Sequence, residues 1–158
     1  LIAYFFLFQL SKGWISMATF YANYKDARRR GTVDDALTFR KITDAALSAT
    51  TSTTGIQLYP IDVEALKVCI SHLAYTGYAA GTAQWTITVE GSASLGSGYV
   101  TLATLDPATF AGAAAETELV LGGDRVSDIL STATYLRVTA TKTGSPGNLT
   151  MAAWVVNV

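Results

Sequence analysis

The chain has 158 residues, the length of one domain with one hydrophobic core. Half of its residues are apolar and only 15% are charged, against about 25% in an ordinary soluble protein, and it holds 22 threonines. This composition indicates β structure with a large uncharged surface, part of which is expected to meet another protein, and the single cysteine excludes an internal disulfide.

The net charge of −1 hides an asymmetry. Over residues 25–41 six basic residues (Lys25, Arg28, Arg29, Arg30, Arg40, Lys41) face three acidic ones, a net +3; after Lys41 four basic residues face nine acidic ones, a net −5. A basic arm therefore precedes an acidic body.

In chain order, residues 1–16 begin with the apolar run LIAYFFLFQL, too short for a bilayer-spanning helix of roughly 20 residues. Ser16 and Ala18 are spaced like a signal-peptide cleavage site, but no basic region precedes the run. The reading that fits better starts the native protein at Met17, with the apolar leader translated from upstream DNA. Residues 17–54 read as an extended basic arm and linker, with one helical turn near Asp44 to Leu47 and a flexible stretch SATTSTTG at 48–55. Arms of this kind order when they bind, and the six basic residues are its candidate partner contacts.

Residues 55–158 read as an all-β body, an antiparallel β-sandwich of the jelly-roll kind. Leu66, Val68 and Ile70 alternate with Lys67, Cys69 and Ser71; Trp85, Ile87 and Val89 alternate with Thr86, Thr88 and Glu90. After the loop GSASLGSG the run 99–105 predicts the return strand of a hairpin, stopped at Asp106-Pro107. Residues 116–121 predict a short strand and 126–130 a brief turn of helix or an irregular segment. Tyr135 to Thr143 alternates again, with Leu136, Val138 and Ala140 on one face, and GSPGN turns the chain into the closing strand 149–158. That strand is apolar on both faces. The set Ala152, Trp154 and Val156 is covered either by the chain itself or by another subunit, which makes these three the subunit-interface candidates.

Catalytic chemistry finds little to work with. His72 is the only histidine, and its odd offset from Cys69 sends the two side chains to opposite faces of a strand, so they do not pair as zinc ligands. No nucleophile elbow, phosphate loop or dinucleotide fingerprint is present. The carboxylate pairs Glu116/Glu118 and Asp124/Asp128 read as solvated faces, with a calcium site as the lesser alternative. Arg28-Arg29-Arg30 fits an acidic protein surface better than nucleic acid, because the −5 body opposes phosphates. The expectation is a non-enzymatic protein with no cofactor, no metal, no nucleic-acid partner and no membrane span. A carbohydrate-binding β-sandwich module is the second hypothesis; Trp85 reads as core rather than platform, and the sequence assigns Trp154 and the Tyr75/Tyr78 pair to neither.

Three stretches carry a family resemblance: QWTITVEGSASLGSGYVTLATL, YLRVTATKTGSPGNLTMAAWVV, and the Ala/Gly/Thr-rich bridge between them. Residues 56–158 resemble the small β-sandwich decoration, or cement, proteins of tailed-bacteriophage capsids, although the polar Asp-Gly turn that similar proteins carry in the first hairpin is missing. The resemblance implies a structural protein on the outer capsid surface of a virion, a trimer at local threefold positions bound to the major capsid protein, with its arm extended across that protein. It brings no catalytic residues.

Overall fold

The computed structural model describes residues 37–58, 66–105 and 111–157. The leader 1–16, the first part of the arm, and with it Lys25 and Arg28 to Arg30, lie outside the described residues.

Alternation of apolar and polar residues sets the strands, because successive side chains point to opposite faces of a sheet. The strands are β1 (Thr38–Arg40), β2 (Thr51–Ser52), β3 (Ile56–Gln57), β4 (Leu66–His72), β5 (Gln84–Ser92), β6 (Val100–Thr104), β7 (Ala115–Leu121), β8 (Tyr135–Thr143) and β9 (Met151–Asn157). Among the described residues one helix, α1 (Gly123–Leu130), lies between β7 and β8 and buries Val126. All strand pairs are antiparallel.

One sheet has the order β1-β9-β4-β7 and the other β2-β8-β5-β6, with β3 also on β8. β2 and β3 run along the same edge of β8 and act as one interrupted strand. Between them the Thr53 N–H donates to Val138 O at 2.9 Å, and the Val138 N–H donates to Thr53 Oγ1 at 3.0 Å. Counted so, eight strands pair as nested hairpins, β1 with β9, β2/β3 with β8, β4 with β7 and β5 with β6. That is the jelly-roll arrangement.

The core lies between the sheets. From the first come Leu66, Val68, Ile70, Leu121, Met151, Ala153 and Val155; from the second come Trp85, Ile87, Val89, Leu102, Leu136, Val138 and Ala140. Trp85 is fully buried, as its alternation predicts, and its indole N–H donates to Gly147 O at 2.9 Å, which ties the β8–β9 turn to the core. A bulge in β6 lets both Leu102 and Ala103 face inward, and Leu102 fills the space that Gly91 leaves open: a Cβ there would lie 2.8 Å from Leu102 Cδ1.

The expected boundary at Gly55 moves upstream. Residues 37–54 were assigned to arm and linker, but Thr38 pairs with Trp154, Leu47 bridges Leu149, and Thr51 and Ser52 pair with Ala140 and Thr139. The helical turn expected near Asp44 to Leu47 is instead a loop after β1, closed by the Asp44 N–H on Lys41 O and the Lys41 N–H on Asp44 Oδ2. The physical reason is edge pairing. Short polar segments with no alternation of their own are held by the exposed edges of β9 and β8.

Candidate functional site

The outer face of the first sheet carries the predicted interface residues. β9 is a central strand between β1 and β4, so its second apolar row faces outward while Met151, Ala153 and Val155 fill the core. Ala152, Trp154 and Val156 are half-buried, and the register places them in three cross-sheet rows: Ala152–Ser71–Glu116, Trp154–Cys69–Glu118 and Val156–Lys67–Val120. Val120, at the far end of its row, is 58% exposed, the most exposed large apolar side chain among the described residues. On this face Lys67 Nζ lies 2.8 Å from Glu118 Oε2 and Glu118 holds the Lys67 ammonium above its usual range, while Glu116 adds a second carboxylate in the Ala152 row.

Cys69 lies on this outer face next to Trp154, yet it is only 5% exposed. Burial, with the Glu118 carboxylate second, pushes its thiol up and disfavours the thiolate. His72, three residues on, faces the core at 2% exposure, with Nδ1 3.0 Å from Leu73 O, so the two side chains lie on opposite faces as their offset requires. No group of three or more His, Cys, Asp or Glu side chains able to hold a metal occurs among the described residues. No helix among them is long and apolar enough to cross a membrane.

Of the predicted arm residues, Arg40 and Lys41 fall in or just after β1. Arg40 is half-buried opposite Ala153, and its guanidinium donates to Ala45 O, so it belongs to the sandwich. This corrects its assignment to an arm: its side chain is engaged in holding the loop that follows β1.

The outer face of the second sheet holds a cluster that the sequence reading did not assemble. Glu90 on β5 stands opposite Arg137 on β8, with Arg137 Nε donating to Glu90 Oε2 at 2.6 Å. The same carboxylate oxygen accepts from Thr139 Oγ1 at 3.0 Å, and Thr139 Oγ1 is 2.8 Å from Ser52 Oγ on the edge strand. The Arg137 guanidinium lies against the Tyr99 ring, 3.9 Å from its centroid, and the Tyr99 hydroxyl donates to Leu95 O at 3.1 Å. Two signals pointed here, an arginine between apolar positions of one alternating strand and a glutamate at the polar phase of another. Their register could not be read from either strand alone.

No protein-family model and no curated protein matches the chain. The molecule offers two outward faces: one around Trp154, apolar along β9 with the Lys67–Glu118 pair and Glu116 beside it, and a hydroxyl-rich one around Arg137.

Proposed function

We propose that the chain is a non-enzymatic capsid decoration protein, which binds the major capsid protein on the outer surface of a viral shell and associates as a trimer. The observation that carries the reading is the outer face of β9. Ala152, Trp154 and Val156 form an uncharged apolar row along β9, and Lys67 on the neighbouring strand is paired with Glu118. An apolar row with an aromatic residue at its centre suits the core of a protein interface. The jelly roll supports the reading more weakly, since capsid proteins and lectins both use it. The basic run Lys25 to Arg30, suited to an acidic protein surface, precedes β1 in the sequence.

The test is to search the neighbouring reading frames for a major capsid protein and to co-sediment the chain with shells assembled from it. The whole protein is expected to pellet with shells at a fixed stoichiometry. Deleting residues 18–36, which spares β1, is expected to weaken attachment strongly while the thermal transition of the sandwich stays within a few degrees. A whole protein that stays in the supernatant at every concentration overturns the reading.

A further inference from the structure

We propose that the outer face of the second sheet, around Arg137, Glu90 and Tyr99, is a platform for a neutral polysaccharide. This activity goes beyond attachment to a shell and does not depend on it.

Arg137 is already ordered. Its guanidinium is fixed by Glu90 on one side and by the face of Tyr99 on the other. Tyr99 is itself placed by its bond to Leu95 O, with its hydroxyl over Gly55, where a Cβ would collide with it. A long side chain pinned in this way loses little further entropy when it engages a ligand.

The pair nevertheless keeps unused hydrogen-bonding capacity. Arginine has five N–H donors, and among the described residues only Nε–H has a hydrogen-bond acceptor, with the side chain 28% exposed. Glu90 Oε2 is occupied twice, whereas Oε1 is approached only by the Thr88 hydroxyl at 3.4 Å. Open donors and an open acceptor therefore lie side by side in a cluster whose charges cancel. That pattern selects neighbouring hydroxyl groups, each of which donates and accepts. It disfavours an anion, which Glu90 repels, and a cation, which Arg137 repels.

The surroundings match. Thr101 is paired with Glu90 and Thr104 with Thr88, so both exposed hydroxyls stand on the same face as the ion pair. Tyr135, half-buried and two residues before Arg137 on β8, adds a ring at the end of the row. Hydroxyls repeated along a sheet face suit a polymer with repeating units better than a single small solute.

The experiment is affinity electrophoresis of the full chain in gels containing dextran, mannan, xylan or galactan, with polygalacturonate as an acidic comparison. At least one neutral polymer is expected to retard the protein. The apparent Kd should weaken by about tenfold or more in Arg137→Met, which removes the donors but keeps the stem. Thr101→Lys, at an exposed position, sets a competing ammonium directly opposite Glu90, is expected to weaken it similarly and covers the case where Arg137→Met does not fold. Three results would each overturn the proposal: no retardation by any neutral polymer, retardation by polygalacturonate alone, or retardation unchanged in both variants. Loss of shell attachment in Thr101→Lys with no retardation by any polymer would assign this face to a protein partner instead.

Discussion

Arg137 and Glu90 face each other across the β8–β5 pairing at 2.6 Å, and the ring of Tyr99 covers the guanidinium. The contact links three successive parts of one sheet, because Glu90 also accepts from Thr139, which touches Ser52 on the edge strand. A pair with side chains 28% and 15% exposed is screened in part, so its contribution lies between that of a surface pair and a buried one. Arg137→Met and Glu90→Gln are each expected to cost about 1–2 kcal/mol in urea unfolding, with a coupling energy of about 1 kcal/mol in the double-mutant cycle. Additive single effects would show that the pair is incidental to stability.

Gly144 makes the turn out of β8 at φ +66°, and a Cβ there would strike Thr82 O. Gly144→Ala combines a left-handed backbone with a collision against a carbonyl that cannot rotate away, and is expected to destabilise by about 2 kcal/mol or more. Gly81→Ala is the control. It shares the positive φ (+75°) but has open space around it, so it should cost less. Equal losses in the two variants would place the whole effect in the backbone conformation.

Cys69 gives a pH prediction with a definite sign. Its thiol pKa is raised in the folded protein, so the unfolded chain ionises first as pH rises and binds fewer protons than the native state. The contribution is fully present below the unfolded value near 9.0 and is lost as pH rises through that value toward the folded one. Stability measured by urea midpoint should fall as pH rises past about 9, and Cys69→Ala should flatten this slope. Alkylation by iodoacetamide at pH 8 should be slow in the native protein and fast in urea. Rapid native alkylation would mean that the thiol is not shielded.

Most of the core was legible in the sequence because it depends on local alternation. The phase of Trp85, Ile87 and Val89 and that of Leu136, Val138 and Ala140 each identify a buried face without knowledge of the partner strand. What could not be read were features set by pairing. Thr38, Thr51 and Ser52 carry no pattern of their own and become strands only against β9 and β8. For the same reason the segment 37–54 looked like linker. The Arg137 cluster was hidden likewise, since its members come from residues 52, 90, 99, 137 and 139 and only the registers of three pairings bring them together. The doubly apolar closing strand was visible. That it lies second from the edge of its sheet, with Trp154 outward against Cys69, required the topology.

The β9 face yields a prediction separate from the arm. Trp154→Ser removes the half-buried ring from the row that includes Cys69, while Met151, Ala153 and Val155 keep the inner packing. Sedimentation equilibrium should show a weaker self-association constant, by about tenfold or more for a central aromatic contact. An unchanged constant would move the subunit interface elsewhere on the sandwich.

The proposed attachment to a shell is tested most directly by cryo-electron microscopy of shells assembled from a candidate major capsid protein in the presence of this chain. The account predicts sandwich-shaped density on the outer surface at local threefold positions, with the outer face of β9 turned toward a contact. Bare shells, with the protein recovered intact in solution, would contradict it.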